Sequence, residues 1–399
     1  MATATENRHA QQLSGSRPLN VLYLIDTLEL GGTERSLLEI CRNYNQEIRP
    51  IVCYPYKGSV LHKDFESAGI ECISLGIEAK YGFLRVYREV RTIAISHRVH
   101  LIHTMLFRSS QAGRCVGHRM GIPVVSSFTG TPWDPIRFQL DPSRSRWKSR
   151  CLQFIDQFTA RWVDRFHAVS NHARDANCKA LRIAPDRVSV IPRGRDIEPL
   201  CRSETELNQL TESLGLGDDH HVVTYVGRMI AGKEHDVLIR AMPNILAKIP
   251  RARLLLVGDG PQRKTLEHLT KELDIAHAVF FLGYRDDVAD LLQITDCFAF
   301  PSASEGLPGA LIESMLAANA IVASDIAPVR EMIGDGVSGR LFETGNHVAL
   351  GDAVTEQLSD TATAQRLGTA ARTDAVRMFD QRIIVNKMQE MYRSLTAGH

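Results

Sequence analysis

Short apolar runs, set off by polar or Gly/Pro punctuation and separated by stretches of helical period, constrain this chain more than any other feature. Seven occur in the first half, at 21–25, 51–54, 72–75, 101–103, 124–127, 166–170 and 188–191. Six more follow, at 222–226, 254–257, 279–282, 297–300, 321–324 and 340–342. The segments between them carry helical patterns, as at 33–44 and 83–96. Strands that alternate with helices predict an α/β chain with parallel, doubly wound sheets covered by helices on both faces. At 399 residues, two such halves can each bury a core. The polar stretch from about Asp196 to Ser213 marks the boundary. The expected organisation is a disordered polar tail over 1–18, a first domain over 19–197 and a second over 198–378. A closing helix over 379–399 carries Ile383, Ile384, Met388, Met391 and Tyr392 as its apolar stripe.

The fourth strand of the second half runs through Pro301-Ser302 into Glu305-Gly306-Leu307-Pro308-Gly309-Ala310-Leu311-Ile312-Glu313. Pro308 suits a first helical turn, and Leu311, Ile312, Met315 and Leu316 then repeat at helical spacing. With Glu305 in the loop and Glu313 on the second turn, both carboxylates can face one crevice beyond the strand end. The unpaired N–H groups around Leu307 to Ala310 would lie between them as an anion seat. Hydrogen-bond acceptors on both sides of an anion seat suit a phosphate flanked by hydroxyls, which is the anatomy of a sugar nucleotide.

Two cations lie upstream. Gly227-Arg228 follows the strand 222–226, and Lys233 precedes an amphipathic helix carrying Val237, Leu238, Ala241 and Met242. Alone, Gly-Arg-x4-Lys reads as a solvated charge pair. At the strand ends of a parallel sheet the same pair can neutralise a diphosphate. Gly31-Gly32, after the first strand, reads either as a simple turn or as a place where backbone approaches a ligand closely.

Taken in order, these residues resemble glycosyltransferase family 4 from Leu19 to about Tyr392. The resemblance is carried by Gly31-Gly32-Thr33-Glu34-Arg35, Val169-Ser170, Ile191-Pro192-Arg193-Gly194-Arg195-Asp196 and Gly227-Arg228 with Lys233. It continues through Val257-Gly258-Asp259-Gly260-Pro261, Phe281-Leu282-Gly283 and the block from Glu305-Gly306 to Ser324. It implies the GT-B fold, two Rossmann-like domains facing a central cleft, with the last helix crossing back onto the first domain. It also implies retaining transfer of a sugar from a nucleotide-sugar donor, UDP-linked, to a hydroxyl acceptor in surface polysaccharide or glycolipid synthesis. In that pattern Arg228 and Lys233 hold the donor diphosphate and stabilise the leaving charge, and Glu305 stands against the transferred sugar. Those three are the catalytic candidates. Glu313 takes the ribose hydroxyls, Gly306, Leu307, Pro308, Gly309 and Ala310 line the phosphate and sugar, and Tyr284 and Arg285 flank the base. Gly31 and Gly32 meet the diphosphate and the acceptor.

No Asp-x-Asp motif accompanies the cations; Asp218-Asp219 and Asp286-Asp287 read as solvated charges. Chemistry without a metal or other cofactor is therefore expected. Many relatives carry His-x-His after the strand at 101–103 and a His before Gly after 124–127. Here the residues are His103-Thr104-Met105 and Phe128-Thr129-Gly130. His103 reads as a core histidine. Nothing in the sequence requires an acceptor, so a sugar-nucleotide epimerase or hydrolase of similar fold stays open, and the altered loops keep open a binding protein without turnover.

A formal charge of +1 excludes a strongly basic nucleic-acid binder. Eight cysteines without a Cys-x-x-Cys pair read as buried free thiols in a reducing, cytoplasmic compartment. No apolar h-region opens the chain, and no run approaches a membrane span. Residues 136–165 interleave Arg137, Arg144, Arg146, Lys148, Arg150, Arg161 and Arg165 with Phe138, Trp147, Phe154, Phe158 and Trp162. Two readings stay open for them: an amphipathic helix packed on the first sheet, or a site for an anionic membrane surface or acceptor.

Overall fold

The computed structural model describes residues 18–78, 82–141, 143–198, 202–217 and 219–397. Residues 1–17 of the expected tail, and Cys201, lie outside the described residues. The first sheet holds β1 (Leu19–Leu24), β2 (Ile48–Tyr56), β3 (Glu71–Ile77), β4 (Leu101–Met105), β5 (Val124–Phe128), β6 (Arg165–Ala168) and β7 (Val188–Val190). The second holds β8 (His221–Val226), β9 (Ala252–Val257), β10 (Val279–Gly283), β11 (Cys297–Phe300), β12 (Ala320–Ser324) and β13 (Arg340–Phe342). All pairings are parallel, in the orders β3-β2-β1-β4-β5-β6-β7 and β10-β9-β8-β11-β12-β13. Central strands such as β4, β5, β11 and β12 are buried along their whole length; β11 and β12 therefore read as near-continuous apolar runs, whereas β4 and β5 also bury His103, Thr104, Ser126 and Ser127. Each order reverses once, between β1 and β4 and between β8 and β11. Crevices form outside the C-terminal strand ends at such reversals.

The chain crosses between the halves twice, and the crossings lie side by side. Arg195 N donates to Phe379 O (2.8 Å), and Gln381 N donates to Arg195 O (3.0 Å). After the second crossing, the helix Gln381–Thr396 lays Ile384, Val385, Met388, Met391 and Tyr392 into the core of the first sheet, against Val21, Tyr23 and Leu37. Ile383, expected in that stripe, points outward, because it sits one helical step off the buried row.

A buried chain of polar groups runs through this core. Tyr44 OH meets Tyr23 OH (2.5 Å), which meets Tyr392 OH (2.7 Å), which meets His103 Nδ1 (2.5 Å). His103 Nε2 meets Ser127 Oγ (2.6 Å), Ser127 Oγ meets His167 Nδ1 (2.7 Å), and His167 Nε2 meets Ile191 O (2.8 Å). A carbonyl only accepts, so His167 Nε2 must donate, and every proton along the chain then points the same way. Both imidazoles are neutral in that arrangement. His103 is thus a satisfied core histidine.

Two sequence readings change. The expected boundary stretch contains the helix Glu204–Ser213, opened by a capping box between Ser203 and Glu206, and its Leu210 packs against the second core. Its polarity reflects a helix without a fully buried residue, not a linker. Among the cysteines, Cys41, Cys53, Cys178 and Cys297 are buried free thiols, whereas Cys151 is exposed on a surface helix.

Candidate active site

Both sheet reversals open onto one cleft of about 570 Å³, within the usual size of small-molecule sites. The second half supplies one wall. Here the helix Gly309–Leu316 starts one residue later than expected, with Pro308 extended at its cap (φ −76°, ψ 115°) and no side-chain cap bond. Its first N–H groups therefore remain available to a ligand. Glu305, Gly306, Leu307, Pro308, Gly309, Ala310 and Glu313 all line the cleft.

Lys233 and Glu305 form an ion pair across it (Nζ to Oε1, 2.5 Å), with the carboxylate largely buried. Their loops are fixed from behind. Tyr225 OH donates to Lys233 O (3.1 Å) and meets Ser302 Oγ (3.0 Å), while Ala303 N donates to Gly232 O (3.0 Å). Gly258, at φ +125°, lets the β9 loop press against Gly227 O, which sets the height of Arg228 beside it. The Arg228 side chain is exposed into the cleft. Tyr284 and Arg285 form the far end, where Arg285 Nε donates to Asp287 Oδ1 (2.7 Å).

The first half supplies the opposite wall, where Gly31 and Gly32 open the helix Gly32–Arg42 without a side-chain cap. Every residue that the sequence assigned to the donor, the diphosphate or the transferred sugar lines this one cavity. The structure adds residues that sequence reasoning did not select. Glu34 curls back over Gly31, and burial raises its carboxyl above the ordinary value. Arg195 Nε donates to Glu313 Oε1 (2.8 Å), joining the wall that carries Glu313 to the first crossing between the halves. Arg193 and Arg137 also line the cleft. The available signal was Arg193-Gly194-Arg195 immediately beyond β7, two arginines flanking a glycine at a strand end.

Direct bonds hold the walls together. Ser170 Oγ donates to Gly306 O (2.7 Å). Glu331 accepts from Asn171 N (2.8 Å) and His172 N (2.6 Å), a second-half carboxylate placed on the N-terminus of a first-half helix. The arrangement can hold an anion between two cations and two helix starts, with a carboxylate on each side.

Comparison with known proteins agrees with this geometry. Residues 30–199 match the family described as Glycosyltransferase Family 4, and residues 208–374 match Glycosyl transferases group 1. The chain is 28% identical over 187 residues to N-acetyl-alpha-D-glucosaminyl L-malate synthase of Bacillus anthracis, covering 47% of this chain and 49% of that protein. It thus spans about half the length of that relative. It is 23% identical over 296 residues to UDP-Gal:alpha-D-GlcNAc-diphosphoundecaprenol alpha-1,3-galactosyltransferase of Escherichia coli, covering 73% of this chain and 74% of the relative. The solved structure of Anabaena Alr3699/HepE in complex with UDP and glucose shares the fold, with a TM-score of 0.83 at 22% identity over 94% of this chain and 100% of that one. The first matched region holds β2 to β7 and the second holds the whole second sheet, and the chain belongs to the family 4, group 1 glycosyltransferases of GT-B fold.

Proposed function

We propose that this chain transfers a sugar, with retention, from a UDP-linked donor to a hydroxyl acceptor that is a glycan or lipid-linked, in surface polysaccharide or glycolipid synthesis. The observation that carries the reading is the anion seat at Gly309 between Glu305 and Glu313, with Lys233 and Arg228 above it. In this reading the diphosphate lies on Arg228, Lys233 and the N–H groups at Gly309 and Ala310. Glu313 accepts from the ribose and Tyr284 and Arg285 flank the base. Glu305, braced by Lys233, faces the sugar. Cations and a helix start aimed at the leaving diphosphate stabilise the charge that develops there without a divalent ion. The ion pair with Lys233 ties up the Glu305 carboxylate, which favours front-face transfer, with the donor phosphate taking the acceptor proton, over attack by that side chain. The relative from Escherichia coli is named for UDP-Gal and a diphosphoundecaprenol-linked acceptor, which supports both the donor base and a lipid-linked acceptor.

The surface supports a peripheral membrane location. Among the described residues, no helix is long and apolar enough to cross a membrane. The helix Arg146–Thr159 is held to the first domain by its polar side, where Ser149, Asp156 and Thr159 are buried and Arg114 Nη1 pairs with Asp156 Oδ1 (2.6 Å). Its apolar stripe faces out, with Trp147 77% and Phe154 68% exposed, among Arg146, Lys148 and Arg150. An ordinary helix packed by its apolar face would show the reverse. An outward apolar stripe rimmed by basic residues suits an anionic membrane surface.

Incubation with a panel of sugar nucleotides, with and without acceptors and with EDTA throughout, tests the function. A glycosylated product from a UDP-sugar, its anomeric configuration retained, is expected. An isomerised nucleotide, free sugar alone, or activity restored only by a divalent ion would overturn it.

A further inference from the structure

We propose that Arg137 and Arg193, on the first-domain wall, hold a phosphate carried by the acceptor, so that the substrate receiving the sugar is a phosphorylated hydroxyl compound, free or lipid-linked. This inference rests on the reading of the second-domain wall as the donor site.

Seven cationic side chains line the cleft. Three are matched by carboxylates: Lys233 by Glu305, Arg195 by Glu313 and Arg285 by Asp287. Among the described residues, no carboxylate lies within ion-pair distance of Arg35, Arg137, Arg193 or Arg228. Arg35 and Arg228 are exposed, so water solvates them. Arg137 and Arg193 are partly buried. Arg137 Nε is buried with no hydrogen-bond partner, and the side chain of Arg193 reaches only Thr129 O, at 3.5 Å. A charge withdrawn from water without a partner is costly, and a ligand anion is what would relieve the cost. Burial, with Arg195 nearby, lowers Arg193 to about 10, and burial, with Arg144 nearby, lowers Arg137 in the same direction. Glu305, Glu34 and Glu313 face Arg193, and Glu305 and Asp134 face Arg137, none of them at ion-pair distance.

Position assigns the anion to the acceptor. The Thr129–Gly130 loop lies between the two arginines, with Arg193 on the Thr129 carbonyl and Arg137 Nη2 3.9 Å from where a Gly130 Cβ would stand. The same loop backs onto Gly306, the neighbour of Glu305, so the arginines sit at the sugar end of the cleft. Arg193 Nη1 also lies 2.7 Å from where a Gly32 Cβ would stand, beside the uncapped N–H groups of the helix Gly32–Arg42. Two guanidinium groups flanking one loop, with a helix start beside Arg193, would take a phosphate on the wall opposite the donor diphosphate.

Calorimetry with inorganic phosphate on the full chain saturated with UDP tests this. Phosphate is expected to bind, and Arg137→Gln or Arg193→Gln to weaken it about tenfold or more while UDP affinity stays unchanged. Arg193→Lys, which keeps the charge, should retain part of the phosphate affinity, and retained UDP binding certifies the fold. Competition by glucose 6-phosphate or by a short polyprenyl phosphate in detergent then separates a soluble from a lipid-linked source. UDP binding without phosphate binding, or variants that bind phosphate like the wild type, would overturn this assignment alone. So would a loss seen only with a uronic-acid donor, which would move the arginines to donor recognition. Absence of UDP binding to the wild type would overturn the donor reading, and this inference with it.

Discussion

A methyl group added at Gly306 tests whether the two walls must touch for the reaction to proceed. The Cβ of Gly306→Ala would stand 2.9 Å from Gly130 Cα and closer still to the Thr129 carbonyl oxygen. Ordinary contact begins near 3.4 Å, so the walls must part by about 1 Å. Backbone on both sides prevents relief by a rotamer change. Overpacking of this kind costs about 1–3 kcal/mol. The Ser170 Oγ bond to Gly306 O stretches with it, at about 1 kcal/mol more. If the closed arrangement is the one that turns over, the combined cost corresponds to a loss of roughly 30- to 1000-fold in kcat. Ser170→Ala, which removes the bond and adds no bulk, should lose only about fivefold. Gly306 lies between the halves and outside both cores, so thermal unfolding should remain near wild type. Turnover by Gly306→Ala at the wild-type rate would show that this contact is absent from the reactive state and refute the reasoning.

Acid should weaken the first domain through His167. Its imidazole is held neutral, lowered by burial from about 6.5 to about 4, so the unfolded chain takes up the proton first and stability falls as pH drops from about 6.5 towards 4. The loss at pH 5 is about 2 kcal/mol relative to neutral pH, readable as a fall in urea midpoint. His167→Gln should lose less over that range, and an equally steep fall in the variant would count against the neutral assignment. At the surface, the protein should sediment with anionic but not neutral vesicles at low salt, each basic residue contributing about 1 kcal/mol. Attachment should fade when Arg144, Arg146, Lys148 and Arg150 become Gln, or when Trp147 and Phe154 become Ser. Equal sedimentation with both vesicle types would sink the membrane reading.

Much of the fold was legible because buried parallel strands leave little choice of residue. The runs at 297–300 and 321–323 are apolar on both faces because helices cover both faces. The donor-side loops were legible for a related reason, since Gly, Pro and acidic residues at a strand-to-helix turn have few other uses. The helix Glu204–Ser213 was missed because a helix lying on a surface buries little, although Ser203 and Glu206 announced its start. Arg193, Arg195 and Arg137 were not selected because their meaning depends on the approach of the two halves. Arg195 meets Glu313 across 118 positions of sequence, and no local pattern encodes that distance. The outward stripe of Trp147 and Phe154 has the same origin: helical period shows that one face is apolar but not which way it turns.

The return of the last helix to the first sheet sets an order on the making of the molecule. Tyr23 leaves the ribosome 369 residues ahead of its hydroxyl partner Tyr392. The second sheet is complete by Phe342, so it can fold during synthesis while the first waits with a groove over Val21, Tyr23 and Leu37 uncovered. A chain that stops before Gln381 would therefore be damaged at its beginning, not at its end.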